Sequence, residues 1–544
     1  MSGGAIRQLR RREVLVGLAT GGAVSIAASW RNGLYATETP ELAAARRQAM
    51  QRRRRVIYNN DGDDIWTAGA DNKERFLAVR HTPLLGTHVD SIFYCTTQSF
   101  NRFTHETRVA EVFQAKSGAF SANNLPRFLE QHTDGLRMSS EFAREHGLES
   151  FWTLRMNDIH DAWTPEFVSD WKREDPTRVM SSVKQAEGRS DRRRLWSLVD
   201  FEHPDVEPRL LAIIQEVLTN YRLDGVELDF LRAPIFFRTA FEGQPVTDVQ
   251  RGLLTRLMRR IRALVLDESR RQGRPLLLAA RIPVTTAICL RIGIDVESWL
   301  REKLVDLLSL GGGYVAFDVP VHEMIELGHR HGVPVYPCLS QSGLLYRPPR
   351  GDSTRQPVEA WLGAAARLWV DRADGIYAFN LFPGPGTNED REFARRVLSR
   401  MGSLEALHAG TIQYAMSDAA GWLPTHYWAL DGETDSGSLP LSLTPNDFTQ
   451  TYLTVPEDLR GADISVTAEL RVDFTGLTAE SHPTILFGSA NFGPQGAGQQ
   501  ISGVRRYVCQ VPLQAVTQGS NRVMVKVAEP SAHLVGAELW ITRE

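Results

Sequence analysis

The chain of 544 residues lacks the cysteine patterns that mark metal sites, redox motifs and disulfide scaffolds. It contains four cysteines, and none of them stands in a CxxC pair. A chain of this length can bury sizeable hydrophobic cores without cross-links, and a free cysteine packs as a small apolar residue. We therefore expect four buried free thiols, at Cys95, Cys289, Cys338 and Cys509.

Strong charge of one sign and long apolar runs are also missing. The formal net charge is −3, which gives no indication of a nucleic-acid partner. The apolar run at 16–28 is too short for a comfortable membrane span and is interrupted by Gly17, Gly21 and Gly22. We expect no stable membrane span in the mature protein. The sequence does not indicate the oligomeric state.

Arginines precede the apolar run near the N-terminus. Arg10-Arg11-Arg12 followed by a modest apolar stretch resembles a Tat export signal, which implies removal of residues 1–36 and a periplasmic or extracellular protein. A membrane anchor is the alternative interpretation. Residues 37–55 then form a linker, in which Arg52 to Arg55 is a run of like charges expected to be solvated.

Eight short apolar runs lie between residues 56 and 405, and most are followed by an amphipathic helical pattern. Strands that alternate with helices predict a parallel sheet, and eight repeats favour a closed (β/α)8 barrel, the TIM barrel of the α/β class. Loops after the carboxyl ends of the strands would then carry the functional residues. The runs are near 56–60, 90–95, 150–156, 225–230, 276–282, 306–310, 333–338 and 375–379.

The pattern changes at about residue 406. Helical periodicity stops, and β-rich runs separated by Gly, Asn, Asp and Pro predict an antiparallel β-sandwich over residues 406–544. The stretch 511–523 resembles the last strands of jelly-roll modules attached to carbohydrate enzymes. That resemblance implies either sugar binding or simple support of the barrel.

Two acids stand on one face of the predicted fourth strand. Side chains alternate along a strand, so Glu227 and Asp229 point to the barrel axis while Val226 and Leu228 face the helices. Burying two carboxylates is costly unless they are paired, hydrogen-bonded or used. A structural ion-pair network and a catalytic or substrate-binding role are the two interpretations.

The segment Asp224-Gly-Val-Glu-Leu-Asp-Phe-Leu-Arg-Ala-Pro234 resembles the fourth-strand motif of glycoside-hydrolase-like barrels. The stretch 200–206 resembles the lead-in of the glycosyl-hydrolase-like family 10 group, and the likeness covers roughly residues 190–310. It implies a (β/α)8 barrel with Asp229 as the catalytic carboxylate. Chitinase-like barrels carry a catalytic Glu where this chain has Leu231, so chitinase chemistry is not implied.

Glycoside cleavage needs one carboxyl to protonate the leaving oxygen and another to attack or to activate water. Asp229 is the candidate nucleophile or base, and Glu227, Asp158, Asp61 and His160 are candidate proton donors. An amide both donates and accepts, which suits sugar hydroxyls, and an arginine keeps a carboxylate ionised or binds an acidic sugar. The candidate substrate-binding residues are Asn59, Asp61, Arg155, Asn157, Arg232, Arg281 and Asn380.

Other interpretations of these residues stay open. Asp61-Gly62-Asp63 could be a turn or an oxygen-ligand Ca²⁺ site, and Asp158, His160 and Asp161 could hold a transition metal or cap a helix. We expect no metal and no cofactor. The sequence favours an exported glycoside hydrolase with a carbohydrate substrate. The alternatives are a glycan-binding barrel without catalysis and a metal-dependent lyase or hydrolase.

Overall fold

The computed structural model describes residues 38–182, 195–311, 320–340, 357–416, 439–462, 465–488, 490–491, 496–501 and 503–543. The predicted signal peptide at 1–36 lies outside these residues.

Eight parallel strands close into a barrel, which confirms the predicted fold. The first strand pairs with both the second and the last, so the ring has no free edge. The strands are β1 (Val56–Asn60), β2 (Val89–Cys95), β3 (Glu149–Arg155), β4 (Gly225–Asp229), β5 (Leu277–Ile282), β6 (Leu307–Leu310), β7 (Val335–Ser340) and β8 (Ile376–Phe379).

Helices surround the barrel, and several of them bury an apolar stripe. In the longest, Leu254, Leu257, Ile261 and Leu264 are buried, and a capping box at Thr247 starts the helix. The helices are α1 (Pro40–Met50), α2 (Lys73–Arg80), α3 (Leu125–Glu130), α4 (Gly135–Glu145), α5 (Asp170–Glu174), α6 (Val206–Asn220), α7 (Arg238–Phe241), α8 (Asp248–Gln272), α9 (Thr286–Arg291), α10 (Val296–Arg301), α11 (His322–Arg330), α12 (Val358–Val370), α13 (Asn388–Leu398) and α14 (Leu404–Leu407).

Aromatic rings fill the lower part of the barrel interior. Phe93 stacks on Phe151 with ring centroids 4.3 Å apart, and Tyr377 meets Phe93 edge-on at 5.7 Å. A Cβ atom at Gly225 would lie 2.4 Å from the Phe151 ring, so β4 must begin with glycine. This packed layer forms the floor on which the polar residues of β3, β4 and β5 stand.

The segment before β1 differs from the predicted linker. It contains α1, and Arg54 is fully buried rather than solvated, because its guanidinium donates to Glu149 at 2.7 Å and to the Tyr336 hydroxyl at 3.2 Å. Arg46 on α1 donates to the buried Asp306 at 2.6 Å. Glu149 and Asp306 lie at the amino ends of β3 and β6. Their ion pairs with Arg54 and Arg46 therefore hold this segment against the lower end of the barrel.

The C-terminal region forms two antiparallel sheets, as predicted for a β-sandwich. One has the order β9-β18-β12-β16-β15 with β10 on β18, and the other has the order β11-β17-β13-β14. The strands are β9 (Ile412–Ala415), β10 (Leu441–Ser442), β11 (Thr449–Val455), β12 (Val466–Thr475), β13 (Thr484–Phe487), β14 (Ala490–Asn491), β15 (Gln499–Ile501), β16 (Val504–Gln510), β17 (Gly519–Lys526) and β18 (His533–Arg543).

Two sequence expectations concern the whole molecule. All four cysteines are buried and free, as expected. Among the described residues, no helix has the length and apolar character needed to cross a membrane.

Candidate active site

Strand register brings the polar residues of the barrel into two levels. Arg155 on β3, Asp229 on β4 and Arg281 on β5 are register partners and form the upper level. Thr153 and Glu227 pair two residues earlier and form the level below. Because Glu227 and Asp229 both point into the barrel, as strand alternation predicts, their charges lie at two successive levels.

At the upper level, Arg281 holds Asp229. The guanidinium donates from Nε to Oδ1 at 3.0 Å and from Nη2 to Oδ2 at 2.5 Å. The backbone N–H of Leu231 donates to the same Oδ1 at 2.9 Å. Asp229 is 1% exposed, and a charge buried so deeply is tolerated because this geometry compensates it.

Glu227 lies one level deeper and is completely buried. Three hydroxyl groups donate to its carboxylate, from Thr153 at 3.0 Å, Ser309 at 3.0 Å and Tyr377 at 2.8 Å. Burial raises the pKa of Glu227 to about 7, with Asp229 adding to the rise and Arg281 opposing it. Glu227 can therefore hold a proton near neutral pH, but it does so beneath the Asp229–Arg281 pair.

A second cluster lies beside this pair, where Arg155 bridges two acids. Its guanidinium lies 3.0 Å from Asp61 and 3.1 Å from Asp158. Burial alone would raise the pKa of Asp61, but Arg155 and Arg232 outweigh it and lower that pKa. The side chain of Asp61 is 16% exposed, so it is an ionised carboxylate within reach of solvent.

The loop after β1 is shaped to present Asp61. Gly62 has a φ of 74°, and a Cβ atom there would lie 1.8 Å from the carbonyl oxygen of Cys95, so only glycine fits the turn. The backbone N–H of Gly62 donates to Asn60, whose amide in turn donates to the buried Asp64 at 2.9 Å. Asp63, the second acid of the segment Asp61-Gly62-Asp63, pairs with Arg80.

His160 completes this cluster. Its Nδ1 lies 2.6 Å from Oδ1 of Asp158, and Arg232 donates from Nη2 to its Nε2 at 2.9 Å. An arginine can only donate, so Nε2 is the acceptor and the proton of the neutral ring is on Nδ1, facing Asp158. Although burial alone would raise it, the pKa of Asp158 is lowered by His160 and Arg155. The His160 side chain is 24% exposed.

The metal interpretation does not match this arrangement. Asp158 and His160 bond to each other, while Asp161 pairs with Lys172 at 2.6 Å. Within the described chain, a cluster of possible metal ligands is formed instead by Asp175, His203 and Asp205. That cluster was not predicted. Arg178 already donates to Asp205, and the backbone N–H of Asp205 donates to His203.

Three of the predicted substrate-binding residues are amides, and they differ in whether their hydrogen bonds are satisfied. Asn157 is saturated, because its amide donates to the carbonyls of Val199 and Ile235 and accepts from the N–H of Val199, each at 2.9 Å. It joins two loops. By contrast, Oδ1 of Asn59 and Oδ1 of Asn380 have no hydrogen-bond partner among the described residues. Both stand at strand ends, and these orphaned acceptors suit a ligand hydroxyl.

Sequence reasoning missed the hydroxyls that hold Glu227. Tyr377 and Ser309 were not among the predicted site residues, although both bond directly to its carboxylate. Alternation along β8 supplies a signal, because Tyr377 and Phe379 share the inward face and Phe379 lies under Arg281 at 4.4 Å.

No family model matches this sequence, and no curated protein matches it. Several solved structures show a distant likeness. A cycloisomaltooligosaccharide glucanotransferase from Paenibacillus sp. is 9% identical over 90% of this chain and 57% of its own, with a TM-score of 0.34. The α-L-fucosidase isoenzyme 2 from Paenibacillus thiaminolyticus is 14% identical over 66% of this chain and 51% of its own, with a TM-score of 0.42.

The glycoside hydrolase domain of PgaB (BpsB) from Bordetella bronchiseptica is 12% identical over 64% of this chain and 99% of its own, with a TM-score of 0.42. This chain spans little more than half the length of the first two structures. Likenesses this distant assign neither an activity nor a substrate to the chain.

Proposed function

We propose that the protein is an exported glycoside hydrolase that acts on a polysaccharide or glycoconjugate at the carboxyl ends of its barrel strands. The observation that carries the proposal is the juxtaposition of Asp61 and His160. Both remain partly exposed, and Arg155 and Asp158 connect them from beneath. Asn380, a partly exposed residue whose Oδ1 has no partner among the described residues, supplies a further contact for a hydroxyl group.

In this proposal, Asp61 acts on the sugar and His160 transfers the proton. Arginines keep Asp61 ionised, as a nucleophile or a general base must be. Nε2 of His160 is the nitrogen that faces away from Asp158, so once Arg232 moves off it, Nε2 takes up a proton from solvent and gives it to the leaving glycosidic oxygen. Asp158 fixes the ring and stabilises the imidazolium that forms.

Asp229, the carboxylate that the family resemblance implies, has a different position. It is the last residue of β4 but is 1% exposed, and Arg281 occupies both of its oxygens. For direct attack on a sugar, Asp229 would have to be uncovered and released from Arg281. We therefore assign a positioning role to Asp229 and Glu227. Their charged groups lie below the reacting residues and hold those residues in place.

The burial of Asp229 favours a second candidate, a barrel that binds glycans without cleaving them. If Asp229 is the only carboxylate that meets the anomeric carbon, its pairing with Arg281 leaves no free nucleophile. The two candidates then differ in one observable, the appearance of new reducing ends.

The test uses the mature chain and a panel of neutral and acidic polysaccharides. The variants Asp61→Asn, His160→Gln and Asp229→Asn accompany the wild type, and both reducing ends and binding are measured. Cleavage by the wild type that falls about 10²–10⁴-fold in Asp61→Asn supports the proposal. Binding without cleavage supports the second candidate. Neither binding nor cleavage across the panel would reject both.

Export is tested separately. The twin arginine is replaced in the full chain by Arg11→Lys and Arg12→Lys, and cell fractions are compared by immunoblot. We expect the wild type in the periplasm or medium and the variant retained in the cytoplasm. Equal export of both chains would remove the Tat assignment and leave the hydrolase proposal unaffected.

A further inference from the structure

The outer face of the sheet β11-β17-β13 carries exposed aromatic side chains. Burial alternates along β11, so Gln450, Tyr452 and Thr454 face outward while Leu453 and Val455 face the core. Tyr452 is 52% exposed, and Phe448, two residues before Gln450, is 38% exposed. They are the exposed large apolar side chains in the described part of the sandwich; Tyr452 lies on β11, and Phe448 comes directly before that strand.

The same face is basic. Arg522 on β17 is the register partner of Tyr452, and Nζ of Lys526 lies 4.9 Å from the ring centroid of Phe448. Strands β11, β13 and β17 contain these two cations and no acidic residue. Four residues of strand separate the two rings, which is roughly 13 Å. The face therefore offers two ring platforms with a cation beside each.

A groove continues this face toward the barrel. It is lined by Tyr452 and Thr454 from β11, Gln413 from β9, and Gly363 and Arg367 from α12. A Cβ atom at Gly363 would lie 1.8 Å from the carbonyl oxygen of Gln413, so glycine is what lets the helix approach the sandwich here.

Gln413, one of the residues that line the groove, has an unmet hydrogen bond. Its side chain is 2% exposed, and its Oε1 has no partner among the described residues. A buried acceptor without a donor costs free energy, which a ligand hydroxyl would recover. A buried polar atom without a partner therefore lies in a residue next to the aromatic and basic face.

We propose that this face and groove bind a stretch of acidic polysaccharide, whose carboxylate or sulfate groups meet Arg522 and Lys526. Tyr452 and Phe448 stack on sugar rings, and Gln450, Thr454 and Gln413 bond to hydroxyls. At the barrel end, by contrast, Arg155 and Arg281 are already paired with aspartates. The inference rests on the proposed function only for the ligand class, a polysaccharide. It assigns the preference for acidic over neutral polysaccharides to the β-sandwich.

The test is affinity gel electrophoresis of the mature chain through alginate, dextran sulfate and neutral dextran, at low and at high salt. We expect retardation by the two acidic polymers, weakened by salt, and little by dextran. Tyr452→Ala should weaken this binding roughly tenfold, and Arg522→Gln should weaken it less. Val249→Ala, an exposed apolar position on α8, serves as the matched control and should bind as the wild type does.

Three outcomes would overturn the inference. The first is that neither alginate nor dextran sulfate retards the protein. The second is that neutral dextran retards it equally. The third is that binding is unchanged in a Phe448→Ala, Tyr452→Ala double variant. Sedimentation of the same samples is included, because a dimer in the wild type that becomes a monomer in the double variant would make this face a contact between copies instead.

The barrel proposal fails separately from this one. Asp61→Asn should lower cleavage about 10²–10⁴-fold and leave retardation by alginate unchanged. If the wild type cleaves no glycan but loses retardation in Tyr452→Ala, the hydrolase proposal fails and the sandwich surface stands. If cleavage occurs and retardation is unchanged in Tyr452→Ala, the sandwich surface fails and the hydrolase proposal stands.

Discussion

Arg281 donates to both carboxylate oxygens of Asp229, at 3.0 and 2.5 Å, from the neighbouring strand of the barrel. Both side chains are almost completely buried. In such a pair each charge depends on the other, because water cannot replace the missing partner. A loss of activity on changing Asp229 therefore does not by itself identify a nucleophile.

We expect Asp229→Asn to lower the free energy of unfolding by about 3–5 kcal/mol, since it leaves the Arg281 charge buried and unpaired. Urea denaturation followed by fluorescence measures this. Asp61→Asn is the control, because Asp61 is partly exposed and Arg155 keeps Asp158 as a partner. A loss at Asp229 no larger than that of the control would show that water reaches the pair.

Asp61→Asn should instead affect catalysis more than stability. If Asp61 acts on the sugar, kcat falls about 10²–10⁴-fold while the melting temperature stays within a few degrees of that of the wild type. Steady-state kinetics on the best substrate of the panel, with thermal denaturation in parallel, gives both numbers. An Asp61→Asn enzyme with nearly full kcat would remove Asp61 from the chemistry.

Glu227 should make the stability of the protein depend on pH. Its pKa is about 7 in the folded protein and near 4.5 in the unfolded chain, so folding favours the protonated form. This stabilisation is complete below pH 4.5 and is lost as the pH rises through 7. Relative to Glu227→Gln, the wild type should lose about 3 kcal/mol of unfolding free energy between pH 4.5 and pH 8.

Urea denaturation of both chains at several pH values tests this difference. Its sign is the informative part, because a wild type that gains stability relative to Glu227→Gln as the pH rises would mean that Glu227 is ionised in the fold. The three hydroxyl donors would then be holding a carboxylate rather than a carboxylic acid.

The tautomer of His160 is a further prediction. Since Arg232 donates to Nε2, the neutral ring should carry its proton on Nδ1. The ¹⁵N chemical shifts of the ring measure this directly in the histidine-labelled protein. Arg232→Gln removes the guanidinium that donates to Nε2 and should let the proton move to that nitrogen, whereas Arg75→Gln, on the exposed surface of α2, should leave the tautomer unchanged. An Nε2–H ring in the wild type would contradict the arrangement.

The segment before β1 should be needed for stability. Arg54→Ala removes the buried partner of Glu149, and we expect it to cost about 3–5 kcal/mol. A chain that starts at residue 37 should fold like the full chain, and one that starts at residue 56 should not. Arg52→Ala, at an exposed position of the same arginine run, is the control and should change little. Equal melting temperatures for the two truncated chains would make residues 37–55 a true linker.

The local pattern of the sequence determined the elements of the fold and their order. Alternation of apolar strands with amphipathic helices gave the eight-stranded barrel, and strand periodicity placed Glu227 and Asp229 on its inner face. Both are properties of neighbouring residues, which a single chain carries in its period of two or of 3.6. The change to β-rich runs after residue 406 is of the same kind.

Tertiary structure decided which charges meet. Asp229 pairs with Arg281, and Arg155 bridges Asp61 and Asp158. Arg54 is buried against Glu149 although it stands in a run of like charges. The exposure of Asp61 and the burial of Asp229 likewise depend on loops and on register across the barrel. The energy of a charge depends on its burial and on partners that are distant in sequence, so closing the ring of strands was needed to fix it.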